Sequence, residues 1–335
     1  MSEIDITKYN TAAKICGDVY NMLKKKILEG CCNVNDLYTF GMNEIVDRCH
    51  LVYKKIKRKG IAFPISINLN NCIDHSIDSG IIHLNDVVKI KLGVDIDGCI
   101  AMLCETFIYN EETNYSDQYI EFLKQLRKNI IKEFKAGNTN DEIKILIESK
   151  CTEMDCFPII NCKSFQHYDN QIYNENPETK YMILNYHKLY NKDEYLMQEN
   201  TCFELLENEV YTININIVPD NEDNYTGNTD RIDEKMYSTD LNVSYLYKLT
   251  DNYYDFKLQS SKQFYCNVFS KHYYNVFDIR DYTYDIKNKL GIKEAKNIGV
   301  LDVLPVRYTK NKKPVYSCTF TVIIKRNTGL QLKYN

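Results

Sequence analysis

An α+β fold built on a largely antiparallel sheet is predicted by three features of the sequence. Helical stripes precede strands in both halves of the chain, residues 86–103 (DVVKIKLGVDIDGCIAML) read as a β-hairpin, and beyond Phe157 the texture turns to alternating strand patterns. With 335 residues, 44% of them apolar and 12% aromatic, the chain is long enough to bury a sizeable core, removing roughly 75% of the unfolded surface from water.

Residues 7–30 place Ala12, Ile15, Val19, Met22 and Leu23 on one stripe and end at Gly30, the pattern of an amphipathic helix. A second helix starts near Asn35 or Asp36 and runs through Met42, Ile45 and Val46 into the basic run YKKIKRKG. GIAFPISINLNN then alternates apolar and polar residues as a strand does, and the hairpin follows with Asp97-Gly98 as its two-residue turn. Helices are expected at 115–136 and 140–150, with Asn138, Thr139 and Asn140 as cap candidates. TKYMILNYHKL and ENEVYTININIV read as strands, 219–240 as an acidic loop, 261–298 as helical, and VYSCTFTVIIKR as the last strand.

The net charge is −4, from 42 Lys+Arg against 46 Asp+Glu, so no global field demands nucleic acid or an anionic membrane. The N-terminus MSEIDITKYN lacks the basic start and apolar run of a signal peptide, and no stretch approaches the roughly 18 apolar residues of a membrane span. A soluble intracellular protein is expected, cytoplasmic and also nuclear, with no membrane partner. The 13 cysteines then read as reduced thiols used as small core residues. Cys151, Cys156, Cys162 and His167, spaced by four, five and four residues, lack the CxxC start usual in structural zinc sites and read as scattered core groups. A composition with 28 Tyr and no Trp weakens arguments from any lone Tyr, Asn or Lys.

Four segments, GIAFPISINLNNCIDHS, DVVKIKLGVDIDGCIA, NEVYTI and SCTFTVII, resemble in order and spacing the pita-bread (creatase) fold of type II methionine aminopeptidase. The resemblance is nearest to the proliferation-associated proteins, non-catalytic relatives of that enzyme that bind partners, and it covers the chain from about Lys8 to Lys333. It implies a single pita-bread domain over 1–335, in halves of 1–155 and 156–335, with a helical insertion at about 241–300. In the enzymes, two metal ions are held by four carboxylates and an imidazole and activate a water. Carried over by position, the resemblance puts those ligands at Lys91, Met102, Phe165, Asn214 and Thr319, none of which can do that work. His75 alone stays, in the place of a substrate-facing histidine. The resemblance thus implies no metal, no small-molecule cofactor and no catalysis. Pattern alone leaves Lys91 open as a solvated strand residue, since Lys89, Lys91, Asp95 and Asp97 share a face opposite Val88, Ile90, Leu92, Val94 and Ile96. The resemblance places it on a buried concave face, paired with a carboxylate such as Asp95 or filling the metal space.

YKKIKRKG carries Lys54, Lys55, Lys57, Arg58 and Lys59 with no acid among them; Arg307, Lys310, Lys312 and Lys313 form a second run and Lys325-Arg326 a third. Such runs suit phosphate contacts that displace counterions, although a basic run is also an ordinary solvated face. The resemblance implies binding to the large ribosomal subunit near the peptide exit or to structured RNA, through the first two runs and the insertion, in translation or ribosome biogenesis. Members of that family often continue into a Lys-rich tail, and this sequence stops at Asn335, so the expectation rests on the body patches. Two other readings stand beside this one: a protein-interaction module using the emptied peptide pocket, and an aminopeptidase with unconventional ligands.

Overall fold

The Asp5 carboxylate accepts a hydrogen bond from the Lys8 amide and starts α1 (Ile6–Leu28), whose buried stripe includes Ala12, Cys16, Val19, Leu23 and Ile27. Asn33 caps α2 (Val34–Leu51) through the Asn35 and Asp36 amides. The computed structural model describes residues 5–77, 80–110, 117–159, 163–173, 178–184, 202–219, 237–252, 254–309 and 312–334. The second helix stops short of the basic run: Val52 is extended and Tyr53 takes a left-handed φ of 43°, so residues 54–58 form a turn instead.

β1 (Lys59–Leu69) and the short β2 (Cys72–Asp74) lead into the hairpin of β3 (Val87–Ile96) and β4 (Cys99–Ile108). Asp97 and Gly98 both have positive φ, 58° and 83°, the type I′ geometry that matches strand twist. Asp117 caps α3 (Gln118–Glu133), and Thr139 with Glu142 forms a reciprocal capping box on α4 (Asn140–Glu153). The strands β5 (Cys156–Pro158), β6 (Lys163–Gln166), β7 (Tyr181–Ile183) and β8 (Val210–Pro219) follow. Most of the expected 219–240 loop lies outside the described residues, as does the expected strand beyond Leu184; Tyr237–Asp240 form β9. The 241–300 stretch is mixed: α5 (Gln259–His272) and α6 (Ile286–Asn297) pack on a small sheet of β10 (Leu246–Leu249), β11 (Phe277–Asp278) and β12 (Leu301–Leu304). Those strands are two to four residues long, too short for a period of two to stand out. β13 (Val306–Thr309), β14 (Tyr316–Ile324) and β15 (Gly329–Gln331) complete the chain.

The main sheet runs β1-β3-β4-β14-β8-β6-β7, with β15 beside β14 and β5 beside β8. Its pairings are antiparallel, as expected. One face is apolar: Ile90, Leu92, Leu103, Ile213, Ile215, Phe320 and Val322 are buried in one core with α1 to α4. At roughly 25 cal/mol per Å² of apolar surface, this contact is the main stabilising term. The opposite face is also buried, yet it is polar, and it carries the residues considered next.

Candidate functional site

Register places the polar face. Lys91 pairs with Ser66 and Cys104, Lys89 with Asn68 and Thr106, Thr319 with Cys104 and Asn214, and Phe165 with Thr212. Since paired residues point to the same side of a sheet, Lys91, Met102, Phe165, Asn214 and Thr319 all share this face. Lys91 is 6% exposed, so it is a buried-face residue and not a solvated one.

Contacts bind these side chains to one another. The Asn214 carbonyl oxygen accepts from the Thr319 hydroxyl at 2.8 Å and from Lys91 Nζ at 3.5 Å, while its amide donates to the Lys163 carbonyl at 2.8 Å. The Lys91 ammonium lies 5.1 Å from the centre of the Phe63 ring, and Met102 packs in the same core as Phe63. The Phe165 ring meets Tyr173 edge-on at 4.6 Å; Tyr173 is 6.3 Å and His75 6.0 Å from Phe63. Phe63 and Tyr173 are thus site residues that the sequence reading did not single out.

Asp95 is not the partner of Lys91. It stands four residues along the strand, about 13 Å away, where register brings Gly60 opposite it. There it accepts from Arg58 Nε at 2.9 Å, Asn275 at 2.8 Å and the Gly98 amide at 2.7 Å. The carboxylate facing Lys91 electrostatically is Asp74, which Arg307 holds through two nitrogens. Burial alone would raise the Asp74 pKa; Arg307, His75 and Lys91 reverse that and hold it well below the usual carboxylate range. Burial likewise pulls Lys91 down, but Tyr173 and Asp74 outweigh it and leave the ammonium above its ordinary pKa. His75, at a left-handed φ of 68°, sets Nδ1 2.9 Å from the Pro305 carbonyl, and burial pushes its pKa down to about 4.

A metal pair does not fit here. The donor set is an ammonium, a thioether, a phenyl ring, an amide and a hydroxyl, and the nearest carboxylate is already neutralised by Arg307. Among the described residues no three His, Cys, Asp or Glu groups stand together as ligands. Cys151 and Cys156 are buried side by side, His167 sets Nε2 2.8 Å from the Thr212 hydroxyl, and Cys162 lies outside the described residues.

The basic runs do not merge into one surface. Lys54, Lys55 and Lys57 are exposed just before β1. Arg58 is bound to Asp95 and the Asn170 carbonyl, and Lys59 Nζ donates to the Val52 carbonyl at 2.6 Å. Arg307, expected on a contact surface, is instead a wall of the pocket, because β13 pairs with β2 and lays it against Asp74. Lys312 is exposed near the far end of β1, about 33 Å from Lys59, Lys313 is half-buried beside it, and Lys310 lies outside the described residues. Lys325-Arg326, at the end of β14, lies toward the Lys59 end of the sheet.

The sequence pattern of metallopeptidase family M24 matches residues 7–239. A curved DNA-binding protein of Schizosaccharomyces pombe is 27% identical over 86% of this chain and 73% of its own length. An ERBB-3 binding protein 1 of Solanum tuberosum is 26% identical over 96% of this chain and 79% of its own length. Among solved structures, a thermophilic Arx1 superposes with a TM-score of 0.75 at 19% identity, covering 98% of this chain and 90% of that one. The methionine aminopeptidase of Thermotoga maritima does so with a TM-score of 0.57 at 10% identity, over 99% and 98%. These likenesses agree with the pita-bread fold expected from the sequence.

Proposed function

The chain belongs to metallopeptidase family M24, and from the residues that stand at the five positions the resemblance assigns to metal ligands we propose that it is a non-catalytic member that binds the large ribosomal subunit or structured RNA, acting in translation or ribosome assembly. The observation that carries the first half is Lys91: a buried ammonium, hydrogen-bonded to Asn214, stands where the resemblance assigns an acidic ligand. A dication would be repelled there, and the carboxylate that faces Lys91, Asp74, is already held by Arg307. Support for the second half is the exposed run of Lys54, Lys55 and Lys57, together with relatives whose names state binding, one of them to DNA. The potato relative's name states a protein partner, which favours a protein-binding reading; Phe63, Phe165 and Tyr173 crowd the face where the resemblance implies a peptide pocket, so such a partner would dock elsewhere.

Two measurements test the proposal. Elemental analysis after dialysis, with hydrolysis of a Met-Ala peptide, is expected to show neither stoichiometric metal nor turnover; finding both would overturn the non-catalytic reading. Co-sedimentation with large ribosomal subunits, and binding of a folded RNA, are expected to weaken with salt. Replacing Lys54, Lys55 and Lys57 by Ala should flatten the log-log salt slope by about 2 to 3. Binding indifferent to both treatments would remove the basic-run mechanism.

A further inference from the structure

The insertion presents a line of half-buried aromatic rings that begins beside the basic run. The Arg58 guanidinium lies 4.9 Å from the Tyr273 ring centre. From there Tyr273 meets Phe269 at 5.8 Å, Phe269 meets Tyr265 at 6.2 Å with planes 7° apart, Tyr265 meets Phe256 at 5.4 Å, and Phe256 meets Tyr254 at 5.7 Å. The line ends at an open cavity of about 210 Å³ walled by Tyr254, Phe256 and Tyr265, with Asp255, Lys262 and Cys266 at its edge. All five residues are half-buried; Phe256, Tyr265 and Phe269 pack against the insertion core and still show part of themselves to solvent.

We infer that this line is a stacking track for a single-stranded RNA segment, whose phosphates lie on Lys54, Lys55 and Lys57 and whose bases reach the rings and the terminal cavity. The inference rests on the RNA reading above and adds the ligand class. Aromatic rings accept any base because every base has a flat π-face, and an arginine next to a ring adds a cation–π contact. The cavity is the size of a base rather than of a folded helix. Its rim charges, Asp255 and Lys262, cancel, and Asp251 stands close to Tyr265. Phosphates are therefore not drawn into the cavity; a neutral ring is, and the phosphates go to the acid-free lysine run.

The test is fluorescence anisotropy of the full chain with a labelled single-stranded RNA of about 10 nucleotides and, separately, a blunt RNA duplex. Tyr254→Leu, Phe256→Leu and Tyr265→Leu keep an apolar side chain and remove the stacking surface, with thermal melting to confirm folding. Tyr284→Leu, at a tyrosine that is 90% exposed and does not line the cavity, is the control. Each ring variant should bind the single strand about tenfold more weakly with duplex binding unchanged, and the control should match wild type. Folded ring variants that bind the single strand as wild type does, while the triple lysine variant binds RNA weakly, would end the track and leave the RNA reading standing. If the triple lysine variant also binds normally, both fall. Ring-dependent capture of an apolar peptide that survives high salt, with no single-strand binding, would assign the cavity to a protein and overturn the inference.

Discussion

Arg307 holds Asp74 with two nitrogens, Nε to Oδ1 at 3.0 Å and Nη2 to Oδ2 at 2.5 Å, and both side chains are nearly withdrawn from solvent. The pair joins β13 to β2 and forms one wall of the pocket around His75 and Lys91. Its role is therefore to keep a buried carboxylate ionised and fixed, and RNA contact is left to other cations. Arg307→Ala would strand the Asp74 charge, a loss of about 3–5 kcal/mol, read as a lower urea midpoint with an unchanged slope. RNA affinity per folded molecule should stay at the wild-type value. A variant that kept its stability and lost RNA binding would return Arg307 to the contact surface.

Two lysines on the same face of β3 behave oppositely. Lys91 is held above its ordinary pKa by Tyr173 and Asp74, whereas Lys89, fully buried with its ammonium 2.7 Å from the Asn70 carbonyl, is pulled by burial from 10.5 to about 8. A depressed lysine is a liability in the folded state. As pH falls from 10.5 the unfolded chain takes the proton first and the folded chain only near 8, so this group lowers stability across that window and by about 3 kcal/mol below it. Lys89→Met removes that cost together with one of the two hydrogen bonds to the Asn70 carbonyl, which keeps the one from the Val315 amide; the lost bond is worth about 1 kcal/mol, for a net gain of about 2. The difference in unfolding free energy between variant and wild type should shrink as pH rises from 8 to 10.5. A difference flat with pH would show that Lys89 is not desolvated as described.

The buried imidazoles set the acid limb. Burial lowers His75 to about 4 and His167 to about 3, from an ordinary 6.5. The unfolded chain again binds the protons first, now below 6.5, so stability is full above 6.5 and declines as pH falls toward 4 and then 3. His75 contributes roughly 3 kcal/mol over its range and His167 roughly 5 over its wider one. Thermal melts between pH 7 and 4 should show a steep fall in Tm, and His167→Gln should lessen it while still reaching the Thr212 hydroxyl. A melt temperature level from pH 7 to 4 would contradict the burial of both rings.

Period and turn chemistry made the main elements legible. The stripe of α1, the Asp97-Gly98 turn and the last strand follow from local rules that the packing then reinforces. The end of α2 was not legible, because Tyr53 leaves the helix at a positive φ that no residue in YKKIKRKG signals. The polar face was half legible. Alternation put Lys89 and Lys91 on one side of β3, but alternation reads as exposure, and that side is covered by distant segments: Leu246, Val276 and Leu304 pack with Ile77 and Ile172 over Ala62, Phe63, Ile100 and Met102. The partner choices of Arg58, Asp95 and Arg307 lie across 37 and 233 residues and were set by strand register, which composition does not carry.

Placing a carboxylate at position 91 should not create a metal site. A two-metal site needs several anions within a few Å, and Lys91→Asp supplies one, beside an amide, a hydroxyl and an Asp74 already committed to Arg307. The change also removes the ammonium that faces Asp74 and adds a like charge near it, so the pocket goes from compensated to repulsive at about 3–5 kcal/mol. Elemental analysis of the variant after incubation with cobalt or manganese is expected to find no stoichiometric ion, and its melting temperature is expected to drop. Lys91→Met, which removes charge without adding any, should be intermediate in stability. If Lys91→Asp alone bound metal and gained stability from it, the other four positions would have to be competent ligands, and the reading of this chain as a non-catalytic member of its family would be wrong.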